Sequence, residues 1–257
     1  MFIGIANIIG QRFGGGGGGG FDADYQAVLN YATTQGYTLP SASQQALQNQ
    51  LVVDLKAAGV WSKLDTFAVF ATDGDSDFAL IDWINLSQYT AVNSPTFTTN
   101  GGFTGNGTSS YVNTNYNAST SATNYQLNNA SRFYWVDNRT GTNWEDNLSG
   151  RAISGNNNST LIRINSQTTS LNSAVDMRSD GFKSINRTSS TNVEVFQNTT
   201  QYSRTATSVD IDGGTQVFLR AVTGYNASRF RFYGMGASIV SENTDFYNAL
   251  NTYITSL

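Results

Sequence analysis

Three stretches of this chain carry residues whose types and spacing could do chemistry. The run Asn138-Arg139-Thr140-Gly141-Thr142-Asn143-Trp144-Glu145-Asp146-Asn147 sets one indole among amides, a guanidinium and carboxylates. An aromatic platform covers the apolar face of a pyranose ring while polar groups around it take the hydroxyls. Trp144, Glu145, Asn143 and Arg139, with Tyr134 on the preceding strand, are therefore the candidate carbohydrate-binding residues. The other reading of Trp144 is an indole folded back over the domain's own edge. The loop Asp73-Gly74-Asp75-Ser76-Asp77 places three carboxylates at alternate positions, as a calcium loop of oxygen ligands begins. It departs from that pattern at Phe78, where glycine is expected, and at Ile84, where a bidentate Glu is expected. Asp73, Asp75 and Asp77 are thus either calcium ligands or the frame of a structural turn. Finally, Arg229-Phe230-Arg231-Phe232 puts both arginines on one strand face and both aromatics on the other. With Arg132 and Arg220 these form either an Arg-lined face for acidic sugars or a partner, or a solvated face of cross-strand pairs.

Composition excludes much else. The 257 residues include no His and no Cys. That removes Ser-His-Asp and Cys-nucleophile chemistry, nitrogen–sulfur zinc sites and redox disulfides. Glycoside hydrolysis needs two carboxylates flanking one bond. In the β-rich half the only adjacent pair is Glu145-Asp146, and the Glu-x-Asp-x-x-Glu run of laminarinase-type hydrolases is missing. The expectation is a protein that is not an enzyme. Net charge is −4, and the 14 Lys and Arg residues stand singly, so no nucleic-acid-tracking surface is expected.

Those residues need elements to hold them. Met1 to Gly10 is apolar but only ten residues long, against about 20 for a membrane-crossing helix, and its one early basic residue, Arg12, follows the apolar run rather than leading it as in a secretory signal. Gly14 to Gly20 then form a seven-residue polyglycine linker with a reach of about 15 Å. Phe2, Ile3, Ile5, Ile8, Ile9 and Phe13 read as a tethered anchor that docks into a partner or a neighbouring subunit, with folding back onto the chain's own core as the alternative. Residues 21–93 read as a helical hairpin with lead-in strands. Asp22 or Asp24 caps a first helix that Gly36 ends, and Ser41-Ala42-Ser43-Gln44 is a capping box for a second, ending at Gly59. Phe67–Ala71 and Phe78–Ile81 read as buried strands.

From 94 to 257 short alternating runs are separated by clusters of Asn, Gly and Ser, and Asn, Ser and Thr make up about a third of the chain. Strands are expected at Ser110–Val112, Arg132–Val136, Thr160–Ile164, Asn192–Phe196, Gln216–Arg220 and Arg229–Tyr233. On strand Arg132–Val136, Tyr134 and Trp135 must face opposite sides, one toward a core and the other toward a surface. The closing helix starts at Ser241 and carries Phe246, Leu250, Ile254 and Leu257 at helical spacing. The reading is a mainly β jelly-roll sandwich with an N-terminal helical hairpin and a C-terminal helix.

Two stretches carry a family resemblance. Phe103-Thr104-Gly105-Asn106-Gly107-Thr108-Ser109-Ser110-Tyr111-Val112 resembles the opening F-x-G-x-G-x-x-x-Y-V of laminin-G-like, concanavalin A-like lectin domains. Met235 to Tyr247 is similar to that family's last strand and following helix. The segment from Phe21 to Trp83 resembles the stretch preceding such modules in bacteriophage virion proteins of the fibre, spike or capsid-surface type. The resemblance implies a virion-surface structural protein that displays a lectin-like domain for host-surface carbohydrate. Its partners would be other virion proteins, capsid or tail, engaged through residues 1–20. It also implies a homo-oligomer, by analogy a trimer. The alternatives are an architectural decoration or cementing subunit and, further off, a glycan-binding module or hydrolase of bacterial origin.

Overall fold

A computed structural model describes residues 20–138, 146–148, 151–156, 159–165, 170–171, 179–211, 213–221 and 224–257. The anchor residues Phe2, Ile3, Ile5, Ile8, Ile9 and Phe13 lie outside the described residues.

The helical hairpin forms where the caps dictate it. Helix α1 (Ala23–Gln35) begins where Asp22 accepts from the Asp24 N–H and ends at Gly36 in the left-handed conformation, φ 79°. Helix α2 (Ala42–Ala57) begins where the Ser41 hydroxyl accepts from the Gln44 N–H, 3.3 Å. The box is not closed from the other side. Gln44 is buried and turns away from the cap, taking the Thr72 hydroxyl (2.8 Å) and donating to Asn100 (2.6 Å). Two single-turn helices follow, α3 (Ser76–Ala79) and α4 (Ala118–Ser121), and the chain closes with α5 (Asn243–Thr255). Phe78–Ile81, expected as a strand, is instead α3 followed by a two-residue strand, Ile81–Asp82, because Asp75 caps the Phe78 N–H at 2.8 Å. At α5 the position before the helix is Glu242 rather than Ser241, whose hydroxyl bonds the Glu242 carboxylate.

Two antiparallel sheets make the sandwich. The first runs Thr200–Thr205, Asn192–Gln197, Gly181–Arg187, Ala130–Asp137, Arg229–Gly236, Gly102–Thr104, Thr96–Thr98, and Leu64–Val69 also pairs with Arg229–Gly236. The second runs Ser170–Leu171, Ser159–Ile162, Arg151–Asn156, Asp146–Leu148, Val217–Phe218, Tyr111–Asn113, Thr90–Val92. The chain is a mainly β sandwich of two antiparallel sheets with an N-terminal helical hairpin and a C-terminal helix. Residues 64–92 are not a lead-in to it: Leu64–Val69 is hydrogen-bonded into the first sheet and Thr90–Val92 into the second.

The central strands of the first sheet are buried on both faces, which gives the molecule three layers and two cores. One core, between the sheets, holds Phe70, Phe103, Tyr134, Val136, Phe218, Phe230 and Tyr233. The other, between the first sheet and α1, α2 and α5, holds Phe67, Phe133, Trp135, Phe182, Phe232 and Phe246. Tyr134 and Trp135 do face opposite sides, but neither side is a surface: Trp135 stacks on Tyr247 of α5 at 5.9 Å and 4°.

The Arg/Phe alternation is broken by a bulge. Phe230 pairs with Val136 and Phe232 with Trp135, leaving Arg231 as the extra residue, and its carbonyl accepts from both Phe70 and Ala71. Phe230 therefore enters the inter-sheet core and Phe232 the helix-side core. Polar ties fasten the helices. The buried Gln48 accepts from Tyr25 (2.8 Å) and donates to Thr72 and Tyr253 (3.1 Å each), and the Tyr253 hydroxyl donates to the Ala71 carbonyl, 2.6 Å.

Candidate functional site

Of the expected carbohydrate-binding residues, Arg139, Asn143, Trp144 and Glu145 lie outside the described residues. Tyr134 is described and corrects the expectation. It is fully buried in the inter-sheet core, 5.1 Å from Phe230, where no external ligand reaches it.

The ground on which the 139–145 segment stands is well defined. On its N-terminal side the strand Ala130–Asp137 ends in a charge cluster. Asp137 takes Arg229 through two bonds, 2.7 and 3.0 Å, and also Arg231 Nε. Arg231 in turn donates to the Asn100 carbonyl at 3.2 Å. Donation to the Asp137 carboxylate raises the Arg229 pKa, against the opposing effect of burial. Asn138 follows at φ 49°, its N–H donating to Asp180 at 3.2 Å. On the C-terminal side, Asp146 pairs with Phe218. The strands Asp146–Leu148 and Arg220–Ala221 lie beside each other.

At this same end Arg220 packs against two neighbouring tyrosines. Its guanidinium carbon is 4.8 Å from the Tyr111 ring centre and 6.0 Å from that of Tyr225, and the rings are 6.3 Å apart. All three side chains are half-buried. Local geometry explains their meeting. Leu219, at φ 65°, interrupts the expected Gln216–Arg220 strand after Phe218. Arg220 then pairs with Tyr225 across the short ladder Arg220–Ala221/Gly224–Tyr225. Tyr111 is delivered by the glycine-rich turn before it. Asn106 accepts from the N–H groups of Thr108, Ser109 and Ser110 at 2.9, 2.8 and 3.0 Å. Gly105 packs so tightly that a Cβ there would lie 1.9 Å from the Asn226 carbonyl oxygen. Phe103-Thr104-Gly105-Asn106-Gly107 thus locks the turn against the segment that leads from Tyr225 to Arg229. Half-buried aromatic faces around a fixed guanidinium suit stacking against a sugar ring and donation to its hydroxyls or carboxylate. Sequence reasoning singled out Arg220 but not its tyrosines. Gly224, four residues on, was the available hairpin signal.

The arginines do not form one continuous face. Arg229 and Arg231 converge on Asp137, Arg220 stacks on tyrosines, and Arg132 is buried, donating to Gln216 at 2.5 Å. The acidic loop is likewise divided. Asp73 accepts from the Ser41 N–H (3.0 Å), Asp75 caps α3 and takes the Thr38 N–H (2.6 Å), and Asp77 accepts from Gln88 (3.1 Å). The arrangement of Asp73, Asp75 and Asp77 is that of a structural turn rather than the calcium loop expected: Asp73 and Asp75 hold the connection before α2 and Asp77 holds Gln88. Among the described residues no cluster of three or more acidic side chains is arranged to hold a metal ion, and no helix is long and apolar enough to cross a membrane.

Two buried carboxylates went unnoticed in the sequence. Asp65 accepts from the N–H groups of Thr123, Asn124 and Tyr125 and from the Tyr116 hydroxyl. Asp82 accepts from the Thr66 hydroxyl at 2.7 Å, from Asn85, and from the Phe67 and Ile84 N–H groups. Burial raises the Asp82 pKa, and those hydrogen bonds oppose the rise. Both carboxylates organise turns; each oxygen already has donors.

No family model and no curated protein sequence matches the chain. Among solved structures, it is similar to the receptor-binding domain of the botulinum neurotoxin C/D mosaic serotype, at 12% identity and TM-score 0.46 over 73% of this chain and 51% of that one. It is also similar to the botulinum neurotoxin serotype D ligand-binding domain in complex with N-acetylneuraminic acid (12%, TM-score 0.44, 76% and 52%). A third is domain 4 of AbnA, a GH43 extracellular arabinanase from Geobacillus stearothermophilus, in complex with arabinotriose (14%, TM-score 0.40, 72% and 98%). The chain spans about half the length of the neurotoxin domains it matches.

Proposed function

We propose that this chain is a non-enzymatic glycan-binding protein whose ligand sits at the loop end of the sandwich. The observation that carries this reading is Arg220 packed against both Tyr111 and Tyr225, beside the strand that begins directly after Glu145. Tyrosine faces stack on sugar rings, the guanidinium donates to hydroxyl or carboxylate oxygens, and the Arg139–Glu145 segment adds an indole, amides and a carboxylate. The finer reading is a bacteriophage virion-surface subunit. The resemblance of residues 21–83 to segments of virion proteins supports it, as does the apolar tip on its polyglycine tether. In that role residues 1–20 engage capsid or tail proteins, and the subunit assembles as an oligomer whose copies raise avidity by about 10²–10⁴. Glycan-array binding by the full chain, with Arg220→Ala and Trp144→Ala alongside, tests the ligand. Electron cryo-microscopy of particles carrying the chain tests the location: a tip seated in another virion protein with the sandwich outward supports the reading, and a sandwich enclosed between shell subunits makes the protein architectural.

A further inference from the structure

Arg220 is a half-buried guanidinium with no oxygen to answer it. Its neighbours are the rings of Tyr111 and Tyr225, at 4.8 and 6.0 Å, and no carboxylate, carbonyl or hydroxyl among the described residues accepts from its N–H groups. Other cations of the fold are answered. Lys56 meets Asp22 and Asp24, Lys63 meets Glu242, and Arg229 and Arg231 share Asp137. Even where no carboxylate is at hand, oxygens take the donors: Arg132 donates to Gln216, Lys183 to Gln197, and the buried Arg187 to the carbonyls of Ile164, Ser189 and Ala206.

Ring faces attract the Arg220 cation but accept no conventional hydrogen bond from it. A guanidinium drawn half out of water therefore keeps donors to offer, and they form a planar fork that matches the two oxygens of a carboxylate. The fork is also held in place. Arg220 pairs with Tyr225 across a two-residue ladder, while Tyr111 pairs with Val92 in the second sheet, so the rings that support the cation are set by separate strands. A side chain fixed in this way loses little freedom when a ligand arrives.

We infer that the loop-end site takes an acidic sugar, one whose ring carries a carboxylate, and that Arg220 reads it by donating two parallel N–H groups to the carboxylate oxygens. Tyr111 and Tyr225 supply apolar contact beside the fork. This rests on the loop-end glycan reading above and narrows it to one ligand class. Hexuronic and nonulosonic acids share the group. The chain as a whole carries a net charge of −4, so the preference for an anion is local to Arg220 rather than a general attraction.

The test is an array on which sialyllactose, oligogalacturonate and glucuronate-containing oligosaccharides each stand beside the same compound with its carboxylates reduced to alcohols, probed with the full chain. At least one acid is expected to bind about tenfold or more tightly than its reduced form, as a lost hydrogen bond between charged groups produces. The arm that responds separates a nonulosonic from a hexuronic acid. The preference is expected to shrink as ionic strength rises and to vanish in Arg220→Gln, whose binding of the acid falls to the level of the reduced form. It is expected to survive in part in Arg220→Lys, which keeps the charge but not the fork. Comparing acid with reduced form needs no variant, so the test stands if Arg220→Gln does not fold. Equal binding of acidic and reduced forms, binding confined to neutral glycans, or an acid preference untouched in Arg220→Gln overturns the inference and leaves the glycan-binding reading in place. A blank array overturns that reading, and this inference with it.

Discussion

Phe230 and Phe232, two positions apart on one strand, lie in different cores: Phe230 stacks on Phe218 at 5.0 Å between the sheets, and Phe232 stacks on Phe67 at 6.2 Å beneath the helices. The bulge at Arg231 makes this possible. It also turns the Arg231 side chain back to Asp137, so one extra residue serves both packing and the loop-end charge cluster.

Phe230→Ala and Phe232→Ala are each expected to cost about 3–5 kcal/mol, as for other buried phenylalanines. Because the rings fill separate cores, the double variant is expected to be additive within about 0.5 kcal/mol. Urea unfolding of the four proteins measures this. A strongly non-additive double variant would mean that the two rings share one packing unit.

Asp137→Ala leaves two arginines without their carboxylate. All three side chains are 16–21% exposed, so an expected loss of about 1–3 kcal/mol allows for partial solvent screening. Glycan affinity is expected to fall with it, since the 139–145 segment departs from this residue. Thermal unfolding and a binding titration on the same samples read both effects. Unchanged binding at lowered stability would detach the charge cluster from the ligand site.

Acid is expected to loosen α5. At Glu242 burial works to raise the carboxyl pKa, but the Lys63 ammonium at 2.8 Å and the Ser241 hydroxyl outweigh it, and the pKa is lowered. A group with a lowered folded-state pKa contributes stability that is present above its unfolded value and lost as pH falls through the folded one. Asp22, held by Lys56, and Glu194, held by Ser203, Gln201 and Asn192, act in the same direction. Asp82, with its raised pKa, opposes them, because its burial cost is relieved on protonation. Melting temperature followed from about pH 6 to pH 3 should fall, and the fall should be shallower in Glu242→Gln. An identical slope in that variant would remove Glu242 from the account.

Much of this fold is readable in the chain. Asp22, Gly36 and Ser41 mark the hairpin because caps act through local hydrogen bonds. Strands such as Asn192–Gln197 show themselves by alternation. The double burial of the first sheet's central strands is a different matter. Whether Trp135 meets water or Tyr247 depends on a helix more than a hundred residues away, and no local pattern encodes that. The bulge at Arg231 is equally silent, since a perfect Arg/Phe alternation reads as an unbroken strand. Asp73, Asp75 and Asp77 have calcium-loop spacing, yet Ser41, Thr38 and Gln88 claim them one by one. At the candidate site the sequence shows Arg220 only as one candidate member of an Arg-lined face, whereas its setting against Tyr111 and Tyr225 comes from Leu219 leaving the strand.

Removing residues 1–20 is expected to leave the melting temperature essentially unchanged. Among the described residues, the first side chain packed on the helix-side core is Phe21, 5.4 Å from Tyr25. The truncated chain is expected to be excluded from virions. Normal incorporation would contradict the anchor.

The claim that the loop end binds glycan is tested most directly on a glycan array probed with the full chain, Arg220→Ala, Tyr225→Ala and Trp144→Ala in parallel. Binding by the full chain to a defined set of glycans, reduced at least about tenfold in each variant while folding is retained, is the predicted result; a single lost ring or guanidinium contact of about 1.4 kcal/mol produces that change. A blank array, or binding untouched by all three substitutions, would contradict it.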